Sequence, residues 1–200
     1  MRGPKPKRGA VVWSPKLAYA VGLIASDGSL SVSGRHIDLT SKDREQLLNF
    51  MGCIDKEVKV SMKTPRYGSE GIARIQFSDV VLYNFFLSIG LTPRKSLTIG
   101  ALDIPDELFF DFLRGSFDGD GCFYSYFDPR WKNSFMFYLN FVSAREKHMQ
   151  WIQETVQRLC GVGGHRVFSG RLGHKMHSLR YAKKDTLKLL ELMYPNTKVV

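Results

Sequence analysis

Two aspartates repeat in step along this chain, and their type and placement suit a divalent metal ion. Asp27 falls near the end of Leu17–Gly28, LAYAVGLIASDG, and Asp120 near the end of Phe112–Gly121, FLRGSFDGDG. The same offset of 93 positions relates Gly22 to Gly115, Asp27 to Asp120 and Gly28 to Gly121, so the chain reads as two related halves. Each acid is expected at the C-terminal end of an apolar helix, where the helix dipole destabilises a carboxylate by up to about 1 kcal/mol. A hard cation offsets that, and carboxylate oxygens with free helix carbonyls make a Mg²⁺ site that keeps room for water and phosphate. Gly22 and Ser26 lie one turn apart, as do Gly115 and Gly119, and such small-residue faces let two helices approach closely. If those faces meet, Asp27 and Asp120 arrive at one end of the helix pair, an arrangement suited to in-line attack on a phosphodiester. A single helix–Asp–Gly is ordinarily only a cap; two copies in register are harder to explain that way. An EF-hand reading of Asp118–Gly121 fails, because the remaining oxygen ligands and the terminal glutamate are missing at the required spacing.

The elements that must position these acids follow from local pattern. Ser14–Pro15 is an N-cap followed by a proline at the first helical position, which predicts a helix from Pro15 to about Ser26, closed by Gly28 as a C-terminal cap. Ser29 to Thr40 alternates, with Leu30, Val32, Ile37 and Leu39 on one face and Ser33–Gly34 as the turn of a hairpin. A helix capped by Ser41 then runs to about Cys53, strands follow over Val58–Lys63 and around Arg74–Phe77, and a third helix covers Asp79–Ile89. The order recurs in the second half: a motif helix, strands Cys122–Phe127 and Phe135–Val142, a helix from Arg145 to Leu159, strands near 166–169 and 178–182, and a helix Lys183–Met193. The predicted organisation is a basic arm over residues 1–13, a first half over 14–92, a linker over 93–106 rich in turn residues, and a second half over 107–200.

The 200 residues are 44% hydrophobic, enough for a substantial core. Lysine and arginine number 29 against 19 acids, a formal charge of +10 that points to a polyanionic partner, nucleic acid first. A spanning helix needs about 20 apolar residues in a row, and no run approaches that. The N-terminus lacks the apolar stretch of a signal peptide, and Cys53, Cys122 and Cys160 have no metal-type spacing. The expectation is therefore an intracellular, non-secreted protein in a reducing compartment, with no membrane partner.

With these residues in view, GLIASDG and GSFDGDG resemble the two motifs of a monomeric LAGLIDADG homing endonuclease, and the resemblance extends from Pro15 to about Pro195, through SIGLTPRKSLT and FLRGSFDGDG. It implies an α+β fold of two pseudo-twofold-related αββαββα halves, with the motif helices at the interface and antiparallel sheets forming a saddle over double-stranded DNA. It further implies Mg²⁺-dependent cleavage of both strands at a long asymmetric site, with Mn²⁺ a plausible substitute and Ca²⁺ expected to bind without supporting cleavage. Carried over residue by residue, Asp27 and Asp120 become the metal ligands, with the carbonyls of Ser26 and Gly119 as further ligands. Lys95 resembles the family's basic active-site residue, and Gln76 is a second active-site candidate. Ala25 replaces the first acid of the first motif whereas Asp118 keeps it in the second. The second half has no clear counterpart of Lys95; either Lys198 serves or the sequence stops short of it. A DNA-binding protein of the same fold that does not cut, and a maturase that binds intron RNA, remain the alternatives.

The polar alternation of eight strands in two sheets supplies the expected DNA-facing set. In the first half it comprises Ser29, Ser31, Ser33, Arg35, Asp38, Thr40, Lys59, Ser61, Lys63, Arg66, Arg74 and Gln76. In the second it comprises Tyr124, Tyr126, Arg130, Lys132, Asn140, Arg166, Arg171, Lys175 and Arg180.

Overall fold

A computed structural model describes residues 9–63, 71–131, 133–171 and 174–195. The first half is built from helix α1 (Pro15–Ser26), strands β1 (Gly28–Leu30) and β2 (His36–Ser41), helix α2 (Arg44–Cys53), strands β3 (Ser61–Lys63) and β4 (Ile72–Ser78), and helix α3 (Val80–Ser88). A short helix α4 (Lys95–Thr98) and a 3₁₀ turn (Asp106–Leu108) lead into the second half. That half comprises α5 (Phe109–Asp120), β5 (Cys122–Phe127), β6 (Phe135–Ser143), α6 (Glu146–Cys160), β7 (His165–Arg171), β8 (His174–Ala182) and α7 (Lys183–Met193). The αββαββα order therefore occurs twice. Each half folds its strands into one antiparallel sheet, in the orders β1-β2-β4-β3 and β5-β6-β8-β7, which are the same order in pseudo-symmetric positions.

Helix α1 starts as its sequence dictates: Ser14 Oγ accepts the Leu17 amide hydrogen at 3.2 Å, and Pro15 needs no partner for an amide it lacks. Every residue from Leu17 to Ala25 is buried, so the helix is apolar around its whole circumference and lies at the centre of the molecule. Its most extensive packing is against α5. The sheets cover the helices with one face each. Leu30, Ile37, Leu39, Ala73, Ile75 and Phe77 point inward from the first sheet, and Phe137, Leu139, Phe141, Leu179 and Tyr181 from the second. A side chain of this size stabilises the fold by roughly 1.5–3 kcal/mol when fully buried.

Several local expectations are corrected. Gly28 is not a left-handed cap: Asp27 closes α1 in a right-handed conformation and Gly28 begins β1. Its lack of a side chain matters for another reason, since a Cβ there would meet Ile24 Cα at 2.6 Å. Helix α2 is capped by Asp43, whose Oδ1 accepts from Glu45 N at 2.8 Å, while Ser41 ends β2. Val32 leaves the apolar face for the hairpin turn, where it is 77% exposed beside Gly34 at φ +77. Strand β3 is shorter than the alternation suggested: Val58 and Val60 pack against the core from irregular backbone after Asp55, whose φ is +50. The linker is anchored in the core, with Ile99, Leu102 and Ile104 buried.

Candidate active site

The site begins where α1 and α5 touch. A Cβ on Gly22 would lie 2.2 Å from the Phe112 carbonyl oxygen, and one on Gly115 would lie 2.1 Å from that of Tyr19. Only glycine allows this backbone approach. One turn further on, a Cβ on Gly119 would lie 1.9 Å from Ser26 Oγ and 3.2 Å from Asp27 Oδ2. All four small residues expected at the helix interface are thus in or beside it, and the contact carries Asp27, the capping residue of α1, and Asp120, the last residue of α5, to the same end of the pair. Ser26 Oγ also donates to the carbonyls of Gly22 and Leu23, at 3.1 Å each, which ties the side chain back onto its own helix beside the Gly119 contact.

Two cavities flank this end, and they are related by the same internal symmetry as the motifs. One, of about 430 Å³, is lined by Asp27, Gly119, Thr40, Ser41, Lys42 and Gln46 among others. The second, of about 230 Å³, is lined by Asp120, Ser26, Val142, Ser143, Ala144 and His148, and also by Lys95. Each acid therefore faces the β-strand end and following helix of its own half, together with a residue of the opposite motif.

Lys95 is delivered by the linker. Arg94 takes up a left-handed conformation (φ +59) that starts α4, Arg145 Nε donates to the Ser96 carbonyl at 2.9 Å, and His148 Nδ1 lies 2.7 Å from the Gly100 carbonyl oxygen. So held, the Lys95 ammonium donates to the carbonyl oxygen of Ser26. That carbonyl, expected from the sequence to be a metal ligand, is here engaged by lysine. Asp118, the extra acid of the second motif, accepts hydrogen bonds from Tyr19 Oη at 2.9 Å and from Tyr194 Oη, and its carbonyl accepts from Gln46 Nε2 at 2.6 Å. It clamps the last turn of α5 to α1, α2 and the end of α7. Ala25, its counterpart, is buried and needs no such partners. Gln76 lines neither cavity: it is exposed on β4, opposite Asp38. Lys198 and Arg66 lie outside the described residues, as does Lys132.

Among solved structures, the chain resembles mesophilic variants of the homing endonuclease I-DmoI, with a TM-score of 0.61 and 16% identity over 92% of this chain and 97% of that one. It resembles the I-LtrWI LAGLIDADG homing endonuclease bound to target DNA at a TM-score of 0.58 and 13% identity, covering 93% of this chain and 85% of that one. The N-terminal LAGLIDADG domain of DUF199/WhiA matches with a TM-score of 0.60 and 19% identity, over 94% and 85% of the two chains. The fold is the LAGLIDADG homing-endonuclease fold. No family model and no curated protein matches the sequence.

The electrostatics of the LAGLIDADG helix ends favour a cation. Burial, and then the charge of Asp120, push the Asp27 carboxyl up to about 6, with Lys95 pulling the other way. Burial raises Asp120 as well, again opposed by Lys95. Burial lowers the pKa of Lys95 itself, against the two carboxylates that favour its charged form. Two acids that resist ionising together, with one ammonium to balance them, form a donor set that a hard divalent ion suits, since it stabilises both charges at once.

His148 is buried, stacked on Trp151 at 5.4 Å, and burial lowers its pKa to about 4. In the unfolded chain it titrates near the ordinary 6.5, so the unfolded state takes up a proton first as pH falls. Its contribution is full above pH 6.5 and is lost between 6.5 and about 4, at up to roughly 1.4 kcal/mol per pH unit. Urea unfolding at pH 7.5 and pH 5 should show a larger drop for wild type than for His148→Gln; equal drops would reject this assignment.

On the LAGLIDADG sheets, Ser29, Asp38, Thr40, Ser61, Lys63, Arg74 and Gln76 share the outward face of the first sheet, and Tyr124, Tyr126, Asn140 and Arg180 that of the second. Ser31, Ser33 and Arg35 lie in the β1–β2 turn and Lys59 precedes β3. Arg130 is held by a bidentate pair with Asp128, and Asn140 is only 8% exposed. Arg166 is a correction: it pairs with Leu179 across β7–β8, on the helix side, and lies 3.7 Å from Glu146. The register places His165, not Arg166, beside Arg180, and a one-residue shift changes the face of a strand residue. Arg171 and Lys175 occupy β7 and β8. Tyr138, outside the set expected from polar alternation, belongs to the outward face, where it pairs with Tyr124 across the strands and stacks with Tyr124 and Tyr126. On the helix side of the same sheet, Phe123, Phe127 and Phe135 are left exposed beyond the cover of the helices.

Proposed function

We propose that the protein is a monomeric, sequence-specific DNA endonuclease of the homing type, making metal-dependent double-strand breaks at a long asymmetric site. The observation that supports this most is the convergence of Asp27 and Asp120 at one end of the α1–α5 pair, with the Lys95 ammonium beside them. The LAGLIDADG fold is shared by homing endonucleases and by the DUF199/WhiA domain, so fold alone does not decide for cleavage; the paired acids are what supports the cleaving reading. In this reading Asp27 and Asp120 hold Mg²⁺, or Mn²⁺ in its place, with the Gly119 carbonyl as a further donor. I-DmoI has been seen in complex with DNA and Mn and with DNA and Ca. Such an ion lowers the pKa of its bound water and neutralises charge on the reacting phosphate. Lys95 places a positive charge next to that phosphate, and the outward sheet faces hold the duplex across both halves.

The two outward sheet faces and the net charge of +10 predict a steep salt dependence: the logarithm of the affinity for a mixed-sequence duplex, measured in Ca²⁺, should fall linearly with log salt concentration, with a slope of several units. A flat response would remove DNA as the partner. Exchange of the bound complex from Ca²⁺ into Mg²⁺ should start cleavage of a recognised site, and a chelator should prevent it; cutting that continues in the chelator would contradict the metal assignment.

A further inference from the structure

The pseudo-twofold relation that equates the two motifs also equates one row of residues on each sheet. In the first, Ser29 pairs with Asp38 and Asp38 with Gln76; in the second, Cys122 pairs with Asn140 and Asn140 with Arg180. Ser29 and Cys122 each follow a motif aspartate by two residues, so the rows match position for position. Gln76 and Arg180 therefore hold the same place in the two halves, on the outward face, with different chemistry.

Arg180 is held unusually. Its guanidinium carbon lies 5.4 Å from the ring centroid of Tyr124 and 5.7 Å from that of Tyr138, and those two rings stack on each other at 5.2 Å and 25°. Tyr126 extends the stack from the far side of Tyr138. No carboxylate pairs with Arg180 among the described residues, whereas Arg74 on the first sheet is tied to Asp38. A guanidinium held by ring faces has its plane fixed, and with Arg180 Nε buried and unpaired it is the terminal Nη pair that is left to meet a base edge in bidentate fashion rather than as a loose phosphate contact. Arginine matches guanine O6 and N7 in the major groove, and glutamine matches adenine N6 and N7.

We propose that Arg180 selects a guanine in the half of the DNA site bound by the second sheet, with Tyr124 and Tyr138 as positioning residues, and that Gln76 selects an adenine at the symmetry-related place in the other half. This rests on the DNA-binding reading above and adds to it the bases that make the site asymmetric at these positions.

The test is enrichment of a random duplex library by the full chain in Ca²⁺, followed by sequencing of bound DNA for wild type, Arg180→Gln, Arg180→Lys and Tyr138→Leu. The wild-type motif should contain a guanine whose preference shifts to adenine in R180Q by about 5- to 100-fold, with the other positions unchanged. R180K keeps the charge and should lose that preference while retaining overall affinity, and Y138L should weaken preference at that one position. Retention of the guanine preference in R180K and R180Q, or a uniform loss of affinity without change at any position, would overturn the assignment. A wild-type chain that enriches no sequence at all would overturn the DNA-recognition reading itself, and this assignment with it.

Discussion

Asp27→Asn and Asp120→Asn are each expected to lower the rate of double-strand cleavage by more than about 100-fold while leaving DNA binding intact. Even the outer partners of metal ligands are worth 10- to 100-fold, and a direct ligand should exceed them. Asparagine keeps the shape of aspartate and removes the charge that the metal requires. Binding should not fall, because removing a carboxylate beside a phosphate backbone relieves repulsion. Nor should the fold be harmed: burial pushes the Asp27 carboxyl up to about 6, so at neutral pH it is still mostly ionised but holds that charge at a cost to the folded state that asparagine does not bear. D27N should therefore melt no lower than wild type, so lost activity would report chemistry and not unfolding. Rapid-quench cleavage, a binding titration and a melting curve on the same preparation separate these effects. Undiminished cutting by either variant would remove that acid from the metal site.

Gly22→Ala and Gly115→Ala are expected to destabilise the protein by about 3 kcal/mol each, the upper part of the usual range for overpacking. For a chain of 200 residues this corresponds to a melting temperature lower by roughly 6–12 °C. The atoms that each new methyl meets are backbone, the Phe112 carbonyl at 2.2 Å and the Tyr19 carbonyl at 2.1 Å, so no side-chain rotation relieves the clash and the helices themselves must part. Parting them separates Asp27 from Asp120, and activity should fall further than the loss of folded protein explains. Gly52→Ala is the control. That glycine lies in α2 with nothing within 4 Å of an added Cβ, and alanine there should stabilise by roughly 0.5–1 kcal/mol. Wild-type melting by G22A and G115A would refute the close-packed interface.

What was legible in the sequence was what is periodic or sterically exclusive. The motif helices are readable because Ser14–Pro15 opens α1 and because glycines at matched positions have few other uses; the start of α1 follows from its cap, and β5 and α7 from their periodicity. Register was not legible. Arg166 and His165 are neighbours, and only the pairing of β7 with β8 decides which of them looks outward. Tyr138 was hidden for the same reason, one ring among aromatics whose inward members, such as Phe137 and Phe141, look identical in the sequence. The cap of α2 went to Asp43 rather than Ser41 because β2 continues through Ser41, a tertiary pairing that overrides the local signal. Lys95 could be proposed from resemblance alone. What places it is the anchoring of the linker by Arg145 and His148, two residues of the second half that bond to backbone carbonyls some 48 positions away in the chain.

Paired acids at the end of two touching helices are proposed to cut DNA at a chosen sequence. This is tested most directly by incubating the wild-type chain with a random duplex library in Mg²⁺ and sequencing the DNA ends it creates, alongside the doubly substituted D27N/D120N chain. Ends should be confined to one long asymmetric motif with wild type and absent with the double variant. DNA that is bound by wild type but left uncut, or ends produced equally by both chains, would contradict this proposal.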